Sequence, residues 1–395
     1  MGIVGWGRVW MSANALILGL GNLCVAAATI GCVFALIAAA LALRFGARRE
    51  LSEIAPHEQP SVTILKPLCG QEPDLLTRLL GFAHQCYGGP MQIVFGSQHR
   101  TDPAMDVVKR LETLRPDLAI DVAVEPRGFG TNRKVLNLVN MAPLAHNDVI
   151  VLSDSDIEVD PTYLADVIAE LQRPGVGAVT CLYHGIAGEG IWSRLSAMSI
   201  NSYFLANVVV GRSMGLAQPC FGATIALRRE TLEEIGGFEA FADCLADDYE
   251  IGVAVRALGY EVAVPPFSVG HVCFERTAGE LVRHQIRQSR TIRTIDPVGY
   301  AGATLSHPFA LALIGALLGS PLGLLVAALA VVCRTVETIA IERAFALERQ
   351  PYWLIPFRDL IAFTTFVSGF FGTTVSWRGS RYRVLSDGSV VQRSN

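Results

Sequence analysis

The chain has 395 residues, of which 51% are hydrophobic and 17% are charged, and its mean hydropathy is +0.40. Soluble domains carry about 25% charged residues, so this composition excludes intrinsic disorder and argues against a wholly soluble protein. The net charge of -4 gives no general attraction to nucleic acid, and we predict no nucleic-acid partner. The nine cysteines form no CxxC pair, which is typical of reduced, packed cysteines.

The first strongly apolar segment is Ala13–Leu43, which contains no charged residue. About 20 apolar residues suffice to cross a bilayer, and a secretory signal has a shorter apolar core, so residues 1–50 are predicted to form a transmembrane anchor. Arg44, Arg48 and Arg49 come after the segment, whereas Arg8 alone precedes it. The positive-inside rule therefore predicts a cytoplasmic location for the middle of the chain.

Residues 301–395 are predicted to form a second membrane region, with spans near 305–333 and 355–377. Between the two spans, residues 334–350 alternate charged with apolar side chains, which predicts an amphipathic helix at the membrane interface. Arg378 comes after the last span and suits the cytoplasmic side. Re-entrant segments in place of both spans are the alternative. The sequence thus predicts a multi-pass protein of the cell membrane.

Residues 60–300 alternate short β-rich runs with stretches of helical periodicity, which predicts an α/β domain on the cytoplasmic side. The sheet is expected to be mostly parallel, with helices on both faces and ligands bound beyond the carboxyl ends of the strands. The chain has no GxGxxG after the first strand and no GxxxxGK[ST], which disfavours dinucleotide enzymes and P-loop ATPases. The predicted strands are Ser61–Leu65, Met91–Phe95, Ile120–Val124, Val149–Leu152 and Val176–Cys181.

Acidic residues stand after two of these runs. Asp154 and Asp156 come directly after Val149–Leu152, where two carboxylates can share a divalent cation whose remaining positions a diphosphate fills. An ordinary Asp-rich turn has the same sequence. Asp102 comes after Met91–Phe95 and precedes a proline, so it is either a ligand-binding residue or the cap of the next helix.

Two further groups can meet a substrate. The loop from Gly128 to Lys134 also carries Asn132, and glycine-rich loops of this kind approach phosphate oxygens closely, although plain turns look the same. Asp247 and Asp248 begin a predicted helix, where the helix dipole favours acids. Alternatively, the pair provides a general base, because neighbouring acids raise each other's pKa.

Basic residues dominate the stretch before the second membrane region. Arg283, Arg287 and Arg290 fall on one helical face, where they can stabilise a leaving phosphate or hold the helix on anionic lipid. His271 comes after another β run and is a candidate third metal ligand, although a lone histidine is more often structural.

Four motifs in this order resemble the ceramide glucosyltransferase family, glycosyltransferase family 21, and most of all its bacterial branch, which includes hopanoid-associated glycosyltransferases. They are LKPLCG (Leu65–Gly70), TDPAMDV (Thr101–Val107), ADDYEIG (Ala246–Gly252) and HQIRQSRTIR (His284–Arg293). The acids and the arginines after them also resemble the D, D, D, (Q/R)xxRW pattern of membrane-bound glycosyltransferases.

This resemblance implies a GT-A fold, a UDP-sugar donor, Mg²⁺ or Mn²⁺, and inverting transfer of a hexose to a lipid hydroxyl. By position, Asp102 would bind the nucleotide part of the donor, with Asn132 and Lys134 nearby. Asp154 and Asp156 would hold the metal, and the family's acceptors make ceramide or a hopanoid the expected lipid.

The resemblance also implies that Asp248 is the catalytic base and that Arg287 and Arg290 meet the leaving diphosphate. The chain departs from the pattern where His284 replaces Gln or Arg and Gln288 replaces Trp. Loss of that Trp disfavours a sugar-polymer acceptor. A hexosyltransferase acting on a lipid is therefore predicted; a processive polysaccharide synthase and a catalytically inactive membrane scaffold are the alternatives.

Overall fold

The computed structural model describes residues 3–47, 59–125, 130–372, 374–377, 380–384 and 390–392. Arg48, Arg49 and Arg378, which bear on the predicted orientation, and Gly128 of the predicted phosphate loop lie outside the described residues. The chain forms two compact units. The helical unit takes in Met1–Ala47, Glu189–Leu216 and Glu275–Gly372, and the sheet unit takes in the described residues within 48–188, 217–274 and 373–395.

The elements alternate between helices and strands along the sheet unit. The helices are α1 Ile3–Gly46, α2 Leu75–Ala83, α3 Ala104–Leu114, α4 Arg133–Met141, α5 Tyr163–Leu171, α6 Gly190–Ser199, α7 Leu205–Ser213, α8 Arg229–Glu234, α9 Asp247–Ala257, α10 Ala278–Ile295, α11 Pro297–Gly302, α12 Pro308–Leu317, α13 Gly323–Ala344 and α14 Ile355–Gly369. The strands are β1 Val62–Pro67, β2 Met91–Ser97, β3 Ala119–Val124, β4 Val149–Leu152, β5 Ile157–Glu158, β6 Val176–Thr180, β7 Leu182–Ala187, β8 Ile225–Arg228, β9 Glu261–Ala263, β10 Ser268–Cys273, β11 Thr374–Trp377, β12 Ser380–Val384 and β13 Val390–Gln392. One π-helical turn, Ile200–Phe204, joins α6 to α7.

The sheet unit is built on a seven-stranded sheet in the order β3-β2-β1-β4-β8-β6-β9. Strand β1 pairs in parallel with β2 and with β4, and only β8 runs antiparallel to its neighbours among these seven strands. The predicted mostly parallel sheet is therefore confirmed. The parallel arrangement brings the carboxyl ends of β1, β2 and β4 to one edge.

Both faces of this sheet are buried, which explains the continuous apolar runs in the sequence. In β4, Val149 and Val151 pack into one core cluster, whereas Ile150 and Leu152 pack into the other. Successive side chains of a strand point to opposite faces, so a strand buried on both faces must be apolar throughout. Helices α2, α3 and α5 contribute to the first cluster, and α4 and α9 to the second.

The sequence does not predict the antiparallel strand β8 or a second sheet, β5-β10-β7. Strand β8 has four residues and ends in Arg228, so only Ile225–Leu227 are apolar. Strand β5 has two residues, directly after the acids of 154–156. Strands this short are fixed by pairing with distant segments, which the local sequence does not reveal.

Among the described residues of the helical unit, two helices are long and apolar enough to cross a membrane. They are Asn14–Gly46 within α1 and α13, and a third span is possible only if α11 to α12, bent by 69°, counts as one. The predicted span 305–333 is divided, because α12 ends at Leu317 and Gly319 takes a positive φ of 87° before α13 begins. Over the predicted span 355–377, α14 has 15 residues, short of the about 20 that cross a bilayer, and strand β11 begins at Thr374.

The predicted interfacial helix over 334–350 is replaced by a continuation of α13 to Ala344. Three of its charged residues, Arg334, Glu337 and Glu342, are buried, whereas Arg343 is exposed. Arg334 is buried and forms ion pairs with Glu337 on the same helix and with Asp359 on α14, where the Nε to Oδ2 distance is 3.3 Å. Buried charges are tolerated when they pair with one another, so α13 continues through a stretch that its sequence marks as polar. The domain boundaries drawn from the sequence also differ, because 189–216 and 275–300 belong to the helical unit.

Candidate active site

The site begins at the carboxyl ends of β1 and β2. The backbone N–H of Gly70, after β1, donates to both carboxylate oxygens of Asp102, at 3.0 and 2.9 Å. Asp102 Oδ1 also accepts from the N–H of Ala104 in the first turn of α3, at 2.9 Å. Asp102 therefore links the two loops that come after neighbouring strands and, in agreement with its interpretation as a cap, also satisfies a donor at the start of α3.

The DSD loop, residues 153–156, comes after β4 at the same edge. The Nζ of Lys134 lies 2.8 Å from Asp154 Oδ1 and 3.5 Å from Asp247 Oδ2, so this lysine joins two of the acidic segments. Asp156 Oδ1 lies 3.5 Å from Nδ1 of His271 on β10. Asp154 and Asp156 remain accessible, with side chains 35% and 30% exposed. The structure thus brings Asp154, Lys134 and the Asp247 segment together.

Asp248 lies in the same group, and a glycine holds it there. The N–H of Gly222 donates to Asp248 Oδ2 at 2.9 Å, and the N–H of Tyr249 donates to Oδ1 at 2.9 Å. A methyl group on Gly222 would lie 2.6 Å from Lys134 Nζ, 3.0 Å from Asp154 Oδ2 and 3.7 Å from Asp248 Oδ2. Gly222 therefore stands where three polar side chains converge, and its missing side chain keeps that space open.

The electrostatics of this group favour proton acceptance by Asp248. Burial, reinforced by the adjacent carboxylate of Asp247, raises the pKa of Asp248 to about 6, although Lys134 and the Gly222 N–H oppose the rise. Burial acts to lower the pKa of Lys134, but the carboxylates of Asp154, Asp247 and Asp248 outweigh it and raise that pKa. A carboxylate with a pKa near neutrality can take a proton and later release it.

The pKa values of the two acids of the DSD loop shift in opposite directions. Burial raises the pKa of Asp154, against the effect of Lys134. Burial acts in the same direction on Asp156, but His271 outweighs it and lowers the pKa of that carboxyl. Behind the loop, burial lowers the pKa of Lys66 to about 7, even though Asp154, Asp156 and Glu72 favour its charged form.

The side chain of Asn132, the predicted phosphate contact, is bound to groups of the protein itself. Its side chain is fully buried, and its Oδ1 caps α4 by accepting from the N–H groups of Lys134 and Val135. Its Nδ2 donates to the carbonyl of Cys244 and, at 3.0 Å, to Asp247 Oδ1. Its amide is occupied on both sides, so Asn132 positions Lys134 and Asp247, while its predicted contact with the donor stays a prediction.

The carboxylates of Asp154 and Asp156 fit a divalent cation by their chemistry. Oxygen ligands suit Mg²⁺ and Mn²⁺, and the space that Gly222 leaves open adjoins Asp154. Across the part of the chain that the structure describes, no three His, Cys, Asp or Glu residues form a preformed metal site. Two carboxylates could hold the cation if a bound ligand filled its remaining coordination positions. His271 lies against Asp156, and its role as a third ligand stays a prediction.

Arg287 and Arg290 lie on α10 of the helical unit. The carbonyl oxygens of Arg287 and Arg290 accept bonds from the hydroxyls of Thr291 and Thr294 along the helix. His284, at the variant position of the motif, places its Nδ1 2.5 Å from Oε1 of the buried Glu275. Burial acts to raise the pKa of Glu275, but His284 outweighs it and lowers that pKa.

Two contributors to the site are not predicted by the sequence. Gly222 lies between Cys220 and the short strand β8, and no pattern there marks it as functional. Lys66 belongs to the LKPLCG motif, but nothing in the local sequence predicts that a lysine there is buried. The adjacent pair Asp247 and Asp248, by contrast, is visible in the sequence, and it predicts a general base because neighbouring acids raise each other's pKa.

The comparison with protein families identifies this arrangement. The profile of glycosyl transferase family 21 matches residues 26–390, which is most of the chain. The chain belongs to glycosyl transferase family 21. This confirms the family predicted from the four motifs, while the predicted bacterial branch stays a prediction.

Two ceramide glucosyltransferases are similar to this chain, in agreement with its membership of family 21. Ceramide glucosyltransferase 1 of Caenorhabditis elegans is 22% identical over 247 residues, covering 60% of this chain and 53% of that protein. Ceramide glucosyltransferase 3 of the same animal is 24% identical over 206 residues, covering 52% of this chain and 44% of that protein. The chain thus matches 53% and 44% of the length of these curated relatives.

A solved structure shows the same fold. The mannosyltransferase PcManGT from Pyrobaculum calidifontis, in complex with GDP-Man and Mn²⁺, aligns with a TM-score of 0.52 at 21% identity. The alignment covers 89% of this family 21 chain and 99% of the mannosyltransferase. The predicted GT-A-type fold is therefore confirmed.

Proposed function

We propose that this family 21 protein is an inverting hexosyltransferase that moves a sugar from a UDP-sugar to the hydroxyl of a membrane lipid. The observation that carries the proposal is the setting of Asp248. Its carboxylate is oriented by the N–H groups of Gly222 and Tyr249, has a pKa of about 6, and adjoins Asp154 and Lys134. A base, a cation-binding loop and an open space between them are what glycosyl transfer requires.

In the proposed reaction, Asp248 accepts the proton of the acceptor hydroxyl as that oxygen attacks C1 of the donor sugar. The new oxygen–C1 bond forms as the bond between C1 and the diphosphate oxygen breaks, and the diphosphate leaves with the electron pair. Attack from the face opposite the leaving group inverts the anomeric centre. The raised pKa of Asp248 suits this step, because the carboxylate is ionised at neutral pH yet basic enough to take a proton.

The charge of the leaving diphosphate needs cationic partners. Asp154 and Asp156 would hold a divalent cation, which when bound supplies positive charge to the diphosphate oxygens. Lys134 already lies against Asp154, from where its Nζ can turn to a phosphate oxygen. Arg287 and Arg290 are proposed to add planar guanidinium donors, by resemblance to the family pattern. Asp102 is proposed to bind the nucleotide.

A lipid acceptor is supported by the composition of the helical unit. Two helices, α1 from Asn14 and α13, can cross a bilayer, so a soluble donor and a membrane acceptor would meet at the membrane surface. Ceramide or a hopanoid is the proposed acceptor, in agreement with the ceramide glucosyltransferase relatives. A multi-pass location in the cell membrane with the sheet unit in the cytoplasm remains part of this proposal.

The test is a donor and acceptor panel with the full-length protein in neutral detergent. UDP-glucose and UDP-N-acetylglucosamine would be paired with ceramide, a hopanoid polyol and diacylglycerol, and lipid products identified by mass spectrometry. We expect one glycolipid whose anomeric configuration, measured by NMR, is opposite to that of the donor. The Asp248→Asn variant controls for contaminating activity. A product with retained configuration, or turnover with GDP-sugars only, would contradict the proposal.

A further inference from the structure

Two buried cations hold the DSD loop from behind. The first is Lys66 at the end of β1, whose side chain is fully buried. Its Nζ donates to the backbone carbonyl of Asp154 at 2.5 Å and to Ser153 Oγ at 3.3 Å, and lies 3.7 Å from the ring centre of Phe82. The partners of this ammonium are thus the loop itself and an aromatic face.

The second cation is Arg78 on α2, which is 1% exposed. Its Nε donates to the backbone carbonyl of Ser155 at 3.0 Å, the residue next to the one that Lys66 holds. Its other nitrogens bind the carbonyl of Pro73 and the carboxylate of Glu72, at 2.7 and 3.1 Å. Glu72 in turn accepts from Ser155 Oγ at 2.6 Å, which closes the network on the loop.

These contacts fix the backbone of the loop without using its functional carboxylates. Consecutive carbonyls, of Asp154 and Ser155, are each bound by a different buried cation. Burying a lysine and an arginine carries a desolvation cost, and well-packed apolar residues often stabilise a fold as well or better. The cations also offset the repulsion between Asp154 and Asp156. Binding of the loop carbonyls and reduced repulsion between the carboxylates both help to orient Asp154 and Asp156, and neither contributes to packing of the core.

We propose that Lys66 and Arg78 are positioning residues that lock the backbone of the DSD loop, so that Asp154 and Asp156 are presented together to a divalent cation and a donor diphosphate. The part that concerns the cation rests on the proposed function. The lock itself, being a property of the backbone, does not, and it can be measured without metal or donor.

The first measurement is hydrogen–deuterium exchange by mass spectrometry on the full-length protein in detergent. In Lys66→Met and Arg78→Met, peptides covering residues 152–158 should exchange at least about tenfold faster than in the wild type, because loop opening is no longer opposed. Peptides covering β3 and β6 should keep their wild-type rates. Ser155→Ala, which removes only the bond to Glu72, is the milder variant if either substitution prevents folding.

Arg228→Met is the matched control. Arg228 also donates to two backbone carbonyls, those of Val176 at 2.9 Å and Leu171 at 2.7 Å, but it pairs with Val149 at the far end of β4. It should alter exchange around 171–176 and leave the loop unchanged. Unchanged loop exchange in the Lys66 and Arg78 variants, or an equal rise throughout the sheet, would overturn the proposal.

The second measurement is Mn²⁺ binding, monitored by the electron paramagnetic resonance of free Mn²⁺ with UDP present. The variants should bind Mn²⁺ at least about tenfold more weakly, whereas Arg228→Met should bind like the wild type. Equal binding in all proteins would mean that the lock does not serve the cation, and the proposal would be dropped. If the wild type bound no Mn²⁺, the metal part of the proposed function would fail, while the exchange result would still decide the lock.

Discussion

Charged residues are gathered in both units of the molecule, but the two clusters differ in balance. The site cluster of the sheet unit sets Asp154, Asp247 and Asp248 around a single Lys134. The helix cluster of the helical unit sets Arg334 and Arg358 against Glu337 and Asp359, which makes two charges of each sign.

The difference in balance separates a binding function from a structural one. All four members of the helix cluster are buried, and their opposite charges compensate one another within the unit. The site cluster keeps Asp154 partly exposed and has more carboxylates than its lysine can neutralise. An excess of negative charge at the carboxyl edge of a sheet calls for a cation from outside, whereas a balanced cluster needs none. Variants of either cluster, and removal of metal, therefore test this difference in charge balance.

Metal removal should have the largest effect. Chelation of divalent cations with EDTA should abolish transfer, and Mg²⁺ or Mn²⁺ should restore it, because the site cluster has excess carboxylates. Turnover is measured with the acceptor that the donor and acceptor panel identifies. Asp154→Ala should weaken UDP-sugar binding when metal is present and leave it unchanged when metal is absent. Equal weakening in both conditions would mean that the loop is an ordinary turn.

Asp248→Asn should lower kcat by about 10²–10⁴, because the amide keeps the shape of the carboxylate but cannot accept the proton, and its single oxygen can accept only one of the two N–H bonds from Gly222 and Tyr249. Donor affinity, measured by calorimetry with UDP, should stay within a few-fold of the wild type. Glu250→Gln, in the first turn of the same helix, is the control and should keep wild-type turnover. Unchanged kcat in Asp248→Asn would transfer the role of base to Asp247.

Arg334→Met tests the helix cluster. Removing Arg334 leaves Glu337 without its ion-pair partner and Asp359 with Arg358 alone, so the free energy of unfolding should fall by about 3–5 kcal/mol. The double variant Arg334→Met, Glu337→Met restores the charge balance and should recover most of that loss. Thermal unfolding in detergent is the measurement, with turnover per folded molecule as the second readout. If the folded single variant lost turnover with no loss of stability, the structural assignment of this cluster would be wrong.

Gly222→Ala should lower kcat/KM by about 10–100-fold, since the new methyl group would enter the space between Lys134 and Asp154. The φ of Gly222 is outside the positive range, so alanine meets no backbone strain there. Gly81→Ala on α2 is the control, because its methyl group would make only ordinary contacts with Val159, at 3.6 Å and beyond. Equal kinetics in the two variants would show that the space at Gly222 is not used.

The contrast between the clusters also shows what the sequence can predict. The run Val149–Leu152 with Asp154 and Asp156 after it is readable, because a strand buried on both faces must be apolar and ligand-binding residues come after strand ends. The four sequence motifs are sufficient to predict the family. The prediction for Asn132 stays a prediction: a helix cap and a phosphate-binding loop share the same residues, and the bonds from Lys134 and Val135 show only its role as a cap.

The errors in the prediction concern charges whose partners are distant in sequence. The sequence places Arg334 at a membrane surface because isolated charges prefer water, but its partner Asp359 is 25 residues further on. Lys66 escapes prediction for the same reason, since its partners Ser153 and Asp154 lie 87 and 88 residues away. Periodicity reports which face of an element is apolar and does not report pairing between elements.

The pH dependence of turnover should show the smallest effect. The base must be ionised to accept a proton, and the pKa of Asp248 is raised to about 6 by burial and by Asp247. Turnover should therefore level off above pH 6 and fall about tenfold for each pH unit below it. Stability should change in the opposite sense: because the folded state binds this proton more tightly than the unfolded chain, the contribution of Asp248 to stability rises as the pH falls from about 6 to about 4. Asp247→Asn removes the neighbouring charge and should move the midpoint of the pH profile to lower pH. A midpoint that does not move, with wild-type turnover at high pH, would show that the excess negative charge of the site cluster does not tune the base.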